Sequence, residues 1–274
     1  MTSDQERLSR YVDIWKAAVD DVVVLLGDLT EDEWSRPTDL PGWDVRAVVA
    51  HLAHLESELS GVDQSKVEVP ELEHLTAPSA LHTESGVIAR ESMSPQEIID
   101  ELVQSVDTRY ATLQADPPSD GSARPPITPG GLPWDWETML RNRPLDVWMH
   151  EQDIRRAVGR PGGLNSDAAA HTAMILTMGF PFSVGKKVAP PAGTTVVLDV
   201  SGVTPVHLAV EMNDSGRCIP LTTDPDSATA SLSMDLETFV ILGGGRRPAG
   251  DVEVEVTGDE DLGRSVVSSM AVTP

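Results

Sequence analysis

The chain has 274 residues, of which 40% are hydrophobic and 23% are charged, so it can bury an ordinary core, and its length favours two domains over one. Its formal net charge of -24 repels phosphate backbones and anionic lipid, which makes nucleic acid and membrane surfaces poor partners. The single cysteine, Cys218, excludes a disulfide within the chain and a cluster of cysteine thiolates around a metal.

The N-terminal segment MTSDQERLSR is polar and lacks the basic and apolar regions of a signal peptide. No stretch of the chain approaches the ~20 uninterrupted apolar residues that span a bilayer. We therefore expect a cytoplasmic protein. No pattern bears on its oligomeric state, for which a monomer is the default prediction.

Helical patterns dominate the first 165 residues. A long helix is predicted behind the capping-box sequence SDQE, because apolar residues recur there at steps of three and four. The segment LPGWDVRAVVAHLAHLESEL predicts a second helix, which begins after a cap at Asp44 and runs towards Leu59. A third helix is predicted from the capping-box sequence SPQE, with proline at its first position.

A long loop over residues 116–134, rich in proline and glycine, follows the third helix. The fourth helix is predicted to begin near Pro144 and to end at Gly159 and Pro161. Four principal helices with polar groups turned inward indicate a helical bundle over residues 1–165.

The pattern changes after Gly163. One more helix, SDAAAHTAMILTMG, is predicted to stop at Gly179 and Pro181. Two helical segments with acidic starts, DLETFVILGGG and DEDLGRSVVSSM, are interleaved with β-rich runs. These short runs lie at 194–200, 206–212, 228–234 and 252–258. The prediction is a small α+β domain over residues 166–274 with one sheet covered on one side, so the fold class of the whole chain is α+β.

A stripe of polar residues runs along the fourth helix. At ~100° per residue, positions i, i+4 and i+7 fall within a sector of roughly 60°. Asp146, His150 and Asp153 occupy these positions beside the apolar stripe. A carboxylate and an imidazole one turn apart can bind one metal ion, and Asp153 can orient the other ring nitrogen of His150. A salt bridge to Arg155 or Arg156 is the alternative for Asp153, and hydrogen-bonded core residues are the alternative for the stripe.

A metal would need a further ligand, and the second helix offers His51 and His54. His51 lies at the margin of the apolar stripe, about 90° from its centre, whereas His54 lies about 150° away. A ligand in the core of a bundle must point inward. His51 is therefore the predicted ligand, and His54 is expected to be solvated.

The segments LPGWDVRAVVAHLAHLESEL and RPLDVWMHEQDIRRAVGRP resemble the mycothiol-dependent maleylpyruvate isomerase family of actinobacteria, which is similar to DinB-like metalloproteins. The family has a tryptophan-containing turn before a helical histidine, and an acidic residue four places before a second histidine. Trp43, His51, Asp146 and His150 match this pattern, although the family commonly has glutamate in place of Asp146. The resemblance implies a DinB-like four-helix bundle with a divalent metal between its helices, followed by a sterol-carrier-protein-like α+β domain.

Two histidines and one carboxylate leave coordination positions open for water or substrate. Zinc (Zn²⁺) suits this set, and ferrous iron (Fe²⁺) is the second choice. A bound divalent cation stabilises a thiolate over a thiol, and neither motif contains a cysteine, so the sulfur would come from a small molecule. The resemblance implies mycothiol as this thiol cosubstrate.

Two reactions are compatible with such a site. Transfer of the thiol sulfur to an electrophilic substrate is the preferred prediction, because the net acidity of the chain disfavours an anionic substrate. Cis-trans isomerisation of a maleylpyruvate-type dicarboxylate is the alternative, and it would need cationic anchors. Arg246 and Arg247 in GGGRRPAG are candidates, as is Arg141 or Arg143 near the metal helix, with exposed surface charge as their alternative role. The competing classes are a non-catalytic binding protein with a structural metal and a metal-dependent hydrolase.

Overall fold

A computed structural model describes residues 3–72, 75 and 78–273 of the chain. The chain forms two compact units, which divide between Gly163 and Leu164. The first unit is helical, and the second combines helices with a five-stranded sheet. Among the described residues, none of the helices combines the length and the apolar character needed to cross a membrane.

Five α-helices occur among the described residues of the first unit. They are α1 (Asp4–Gly27), α2 (Val45–Leu59), α3 (Pro78–Ala89), α4 (Pro95–Ala115) and α5 (Trp136–Val158), with short 3-10 turns at Glu31–Ser35 and Pro129–Gly131. Helix α1 packs against α5, and α2 packs against α4 and α3. Helices α1, α2, α4 and α5 are the four principal helices that the sequence predicts, so the predicted bundle is confirmed.

The predicted helix starts are formed by the expected caps. The hydroxyl groups of Ser3 and Ser94 each accept a hydrogen bond from the backbone of the glutamate three residues on, and that glutamate closes a capping box. Asp44 accepts a hydrogen bond from the backbone N–H of Ala47 at the start of α2. Each cap satisfies a backbone donor that has no partner within its own helix.

Pro144 lies inside α5, and the prediction that it lies near the start of this helix was wrong. The helix begins at Trp136, because Asp135 caps it by accepting a hydrogen bond from the backbone N–H of Thr138. It continues through the proline, which removes one helical hydrogen bond and costs roughly 3 kcal/mol. The helix ends as predicted at Gly159, whose φ of 68° is a left-handed conformation that favours glycine.

Helix α3 was not predicted from the sequence. Its apolar and polar residues, PSALHTESGVIA, do not segregate strongly to opposite faces, so no helical stripe marks it. It packs against α2 and covers a side of that helix that the periodicity assigns to solvent. This packing changes the environment of the second histidine of α2, as described below.

The second unit contains three α-helices and five strands among the described residues. The helices are α6 (Asp167–Phe182), α7 (Leu236–Gly243) and α8 (Glu260–Ser268), and the strands are β1 (Thr195–Ser201), β2 (Val206–Met212), β3 (Cys218–Pro220), β4 (Ala230–Asp235) and β5 (Glu255–Gly258). The strand order is β3-β2-β1-β4-β5, with β1 and β4 parallel and the other neighbouring pairs antiparallel. The predicted α+β class is confirmed.

The two faces of the sheet differ in character. Leu198, Leu232 and Val256 are register partners on three neighbouring strands and share one face. Helix α8 packs closely on this face, since a Cβ atom on Gly263 would lie 2.3 Å from Cγ1 of Val256. Asp199 lies on the opposite face, because side chains alternate along a strand.

Helix α6 runs through Gly179 and Pro181, where the sequence predicts that it stops. Gly179 is a point of close packing, because a Cβ atom there would lie 2.9 Å from the side chain of Val272. After Phe182 the chain continues into a π-helical turn at Ser183–Val188. The three-residue strand β3 was also missed, because so short a segment has no readable alternation.

Candidate metal site of the helical unit

Three side chains from two helices meet inside the first unit. His51 on α2 and Asp146 and His150 on α5 each offer one ligand atom, and these atoms lie within 4.8 Å of one another. Nε2 of His51 is 3.7 Å from Oδ2 of Asp146, and Nε2 of His150 is 3.7 Å from Oδ1 of the same carboxylate. These distances are too long for hydrogen bonds. They are close to the ~3.3 Å that separates two ligands of one tetrahedral zinc ion with bonds of ~2.0–2.1 Å.

The tryptophan of the turn before α2 forms one wall of this cluster. The ring centroid of Trp43 lies 5.1 Å from that of His51 and 6.2 Å from that of His150. The indole Nε1 donates a hydrogen bond of 2.9 Å to Glu84 on α3, which fixes the ring. Both histidines are buried, whereas the side chain of Asp146 is 28% exposed. Solvent or a ligand therefore reaches the cluster at the carboxylate.

The protonation states at the cluster suit a cation. Burial lowers the pKa of His51 to about 4, although the charge of Asp146 opposes this shift. The imidazole is therefore neutral at pH 7, which is the form that binds metal. Burial raises the pKa of Asp146, but the Arg143 charge and the neighbouring histidines lower it further, so its pKa lies well below the usual value. The carboxylate is therefore ionised.

Asp153 orients the far side of the His150 ring. Its Oδ2 atom accepts a hydrogen bond of 3.1 Å from Nδ1 of His150, and its Oδ1 atom accepts one of 2.5 Å from Arg156. The two roles that the sequence offers as alternatives for Asp153 thus occur together. Because Nδ1 carries the proton, Nε2 of His150 has the free lone pair. Nδ1 of His51, in contrast, has no hydrogen-bond partner in the described part of the chain, so packing alone orients that ring.

A buried ion cluster lies next to the site and was not predicted. Glu56 on α2 is fully buried and accepts hydrogen bonds from Trp15 on α1, Arg109 on α4 and Arg143 on α5. Arg143 also donates a hydrogen bond of 2.9 Å to Oδ2 of Asp146. One residue from each helix of the bundle thus takes part, and the network connects to Asp146 through Arg143.

The predicted cationic anchors have different surroundings. Arg143 is only 3% exposed, and its side-chain N–H groups bond to Glu56 and Asp146, so it is a partner of the cluster rather than an anchor for a substrate. Arg141 is half-buried on the same helix. Arg246 and Arg247 follow α7 in the second unit and are half-buried, and Arg246 donates a hydrogen bond of 2.8 Å to the carbonyl of Gly244. The role of these two arginines stays a prediction.

His54 is buried, and the prediction that it is solvated was wrong. Its exposed fraction is 2%. Helix α3 covers it, and Gly86 on that helix packs directly against the imidazole ring, since a Cβ atom there would lie 2.1 Å from Cγ of His54. The periodicity of α2 alone could not predict this contact, because α3 comes from a distant part of the sequence.

A helical bundle with a His–Asp–His cluster between two of its helices, joined to an α+β unit with a mixed sheet, is thus the class of protein that the fold and the site define. Residues 15–155 match the family model of the mycothiol maleylpyruvate isomerase N-terminal domain, and residues 176–264 match that of the MDMPI C-terminal domain. The chain belongs to the mycothiol maleylpyruvate isomerase family, as its two motifs predict, and it is an enzyme of this family.

The chain is also similar to proteins of known sequence and of known structure. The uncharacterized proteins Rv0036c and MT0041 of Mycobacterium tuberculosis are each 25% identical over 180 residues, which cover 65% of this chain and 67% of the relative. Crystal structures of the mycothiol-dependent maleylpyruvate isomerase and of its histidine-to-alanine mutant share the fold, with TM-scores of 0.51 and 0.52. Their sequences are 17% and 18% identical to this one, and the match covers 94% of this chain and 96% of the crystallised chain.

Proposed function

We propose that this protein is a metal-dependent isomerase that uses a small-molecule thiol, mycothiol, to convert a cis double bond of a maleylpyruvate-type substrate into the trans form. The convergence of His51, Asp146 and His150 into one cluster is the observation that carries the proposal. The names of the family and of the structural relatives support isomerisation, and nothing in them supports transfer of the thiol. The net acidity, which favours transfer, is a poor guide because it describes the whole surface rather than the site.

Zinc is the metal that we propose for this cluster, with ferrous iron as the second choice. Two imidazoles and an ionised carboxylate are a donor set that zinc accepts in catalytic sites. When bound, the ion would hold the cosubstrate as its thiolate, the nucleophilic form, at neutral pH. The residues His51, Asp146 and His150 would hold the ion, and Asp153 would keep the His150 ring in the tautomer that binds.

The chain has no activated sulfur of its own. Burial raises the pKa of Cys218 to about 11, so this thiol is protonated at neutral pH. Cys218 lies in β3 of the second unit and is paired in the sheet with Met212. The nucleophile must therefore come from a separate thiol, which agrees with a mycothiol cosubstrate.

The proposed isomerisation balances without a further reactant. The thiolate sulfur forms a bond to one carbon of the activated cis double bond, and the π electron pair moves onto the conjugated carbonyl as an enolate. The former double bond, now single, rotates. The enolate electrons then re-form the double bond and expel the thiolate, so the trans product leaves and the thiol is regenerated. We also propose that Arg246 and Arg247 bind substrate carboxylates, and the double variant Arg246→Gln/Arg247→Gln tests this as a raised KM with unchanged zinc content.

The experiment uses zinc-loaded protein with maleylpyruvate and a substoichiometric amount of mycothiol, and follows the olefinic protons by NMR. We expect many turnovers for each thiol, full recovery of the free thiol, and no turnover without it. His150→Ala should lose the ion of this cluster and the activity, because it removes one of the three ligands. His207→Gln is the matched control, since it removes an exposed histidine of the second unit and should keep both.

Other outcomes would identify the competing classes. Consumption of one thiol per substrate, with a thioether as product, would establish transfer in place of isomerisation. Turnover of an ester or amide substrate without any thiol would indicate a hydrolase. Bound zinc with no turnover of any of these substrates would indicate a binding protein.

A further inference from the structure

A second group of metal-ligand side chains lies on α2, apart from the His51 cluster. His54 and Glu58 on α2 and His82 on α3 each offer one ligand atom, and these atoms lie within 4.8 Å of one another. His54 and Glu58 are four residues apart, so their side chains are neighbours on one face of the helix. The ring centroids of His54 and His82 are 4.8 Å apart, the same separation as between His51 and His150.

The ring of His54 is held in a state that leaves one lone pair ready for a ligand. The amide nitrogen of Gln64 donates hydrogen bonds to Ser57 and Val62, which fixes the amide orientation. The amide oxygen must therefore accept from Nδ1 of His54, at 2.9 Å, so Nδ1 carries the proton. Nε2 then holds the lone pair, and it is buried without a hydrogen-bond partner among the residues that the structure describes. A buried acceptor without a partner is unfavourable, and a bound ion would satisfy it.

The other two side chains are also fixed in place. Nε2 of His82 lies 3.0 Å from Oε2 of Glu58, and the same carboxylate accepts a hydrogen bond from the backbone N–H of Gly130. The His82 ring packs against Gly130, where a Cβ atom would lie 3.1 Å from Cγ and Cδ2 of the ring. The His54 ring packs against Gly86 on α3 in the same way. Both imidazoles thus lie where the backbone carries glycine.

We propose that His54, Glu58 and His82 form a second site for a divalent cation of zinc-like ligand preference. Two imidazoles and one carboxylate are a donor set that zinc accepts, and the 3.0 Å between His82 and Glu58 is near the ~3.3 Å separation of two zinc ligands. The ion displaces the proton that His82 and Glu58 share, and this proton is released to solvent. The site does not depend on the reaction proposed for the first cluster.

This second ion would stabilise the wall of the first cluster. It would join α2 to α3 and to the turn at Pro129–Gly131, since its ligands lie on the two helices and Gly130 bonds to one of them. Helix α3 also carries Glu84, which accepts the hydrogen bond from Trp43 beside His51. The second site thus has a structural role with an effect on the position of Trp43.

The test is equilibrium dialysis of metal-free protein against buffered Zn²⁺, with the zinc content measured by mass spectrometry. We expect two ions in the wild-type chain, one in His51→Ala, one in His82→Gln and none in the double variant. His82 is chosen because its side chain is 30% exposed, so the substitution is tolerated better than a change at the buried His54. Glu58→Gln is a second variant that should also reduce the content to one ion, and His207→Gln is the control that should keep two.

The results separate this proposal from the function proposed above. One ion retained by His51→Ala and lost on the further change His82→Gln supports the second site, whether or not the wild-type protein isomerises any substrate. A wild-type content of one ion that His51→Ala abolishes would overturn the second site. Two ions retained in both His82→Gln and Glu58→Gln would overturn it as well.

Discussion

Nη1 of Arg143 lies 2.9 Å from Oδ2 of Asp146, while Nε and Nη2 of the same guanidinium donate hydrogen bonds to Glu56. The planar guanidinium therefore holds two carboxylates in one fixed geometry. This contact matters because Asp146 has a shorter side chain than the glutamate common in the family, and its direction depends on its partners. Arg143 therefore positions the candidate ligand Asp146.

Replacing Arg143 with lysine tests this positioning role. Lysine keeps the positive charge, but one ammonium group cannot reproduce the fork that joins Glu56 to Asp146. We expect Arg143→Lys to fold and to bind zinc ~10–100-fold more weakly, as measured by competition with a chelating dye. Arg264→Lys, in an exposed ion pair on α8, is the control and should bind zinc as the wild type does. Unchanged affinity in Arg143→Lys would show that Asp146 needs no such partner.

Glu56 is predicted to be essential for the stability of the helical unit. Burial raises its pKa, but the charges of Arg143 and Arg109 lower it further, so the pKa is below its usual value and the carboxylate is ionised. Glu56→Gln leaves the buried Arg109 without the carboxylate that it pairs with and leaves Arg143 with Asp146 alone, so we expect a loss of about 3–5 kcal/mol in urea unfolding. The exposed control Glu260→Gln should change stability by less than about 1 kcal/mol. An equally small effect of Glu56→Gln would contradict the structural role of the cluster.

Asp153 is predicted to strengthen metal binding through His150. In Asp153→Asn the neutral amide holds the Nδ1 proton of His150 less strongly, so we expect ~10–100-fold weaker zinc binding. Asp39→Asn is a matched control, because Asp39 shares Arg156 with Asp153. If both variants weakened zinc binding equally, the effect would arise from Arg156 and not from the orientation of the histidine.

The metal-free protein should lose stability in mildly acidic solution. Burial lowers the pKa of His51 to about 4 in the folded state, whereas the unfolded chain has the ordinary value of about 6.5. As the pH falls, the unfolded state therefore binds a proton before the folded state does. The contribution of the neutral His51 to the free energy of unfolding is fully present above about pH 6.5 and is lost towards about pH 4. The shift corresponds to about 3 kcal/mol.

Urea unfolding across this pH range, with a chelator present, measures the effect. His51→Gln has no titrating group at this position, so its stability should fall less steeply between about pH 6.5 and pH 4 than that of the wild type. The difference between the two slopes isolates His51 from the other titrating groups. Parallel curves would show that His51 does not contribute.

Much of the candidate metal cluster could be predicted from sequence, because the positions of its three side chains follow from helical periodicity. Asp146 and His150 are one turn apart on a single helix, and the margin of the apolar stripe of α2 selects His51. The contact of Arg143 with Asp146 could also be predicted, because residues three apart are neighbours on a helix. The contacts of Glu56 with Arg109 and Arg143 were not, since they join three helices whose relative rotation is set by packing.

The fold was predictable where local chemistry decides it and less so where packing does. The capping boxes at Ser3 and Ser94 and the left-handed Gly159 are formed as expected. Proline favours the first turn of a helix, but Pro144 is tolerated inside α5 because tertiary contacts stabilise this helix. His54 is buried by α3. Because no periodic pattern in the sequence indicates α3, the burial of His54 could not be predicted.

The most direct measurement is an anomalous difference map, collected at the zinc edge, from crystals of the zinc-loaded protein. If His51, Asp146 and His150 share an ion, a peak will lie ~2.0–2.2 Å from Nε2 of each histidine and from a carboxylate oxygen of Asp146. Crystals of His150→Ala should lack this peak. Zinc-loaded wild-type crystals with no density between these three side chains would contradict the assignment of the metal site and, with it, the proposed reaction.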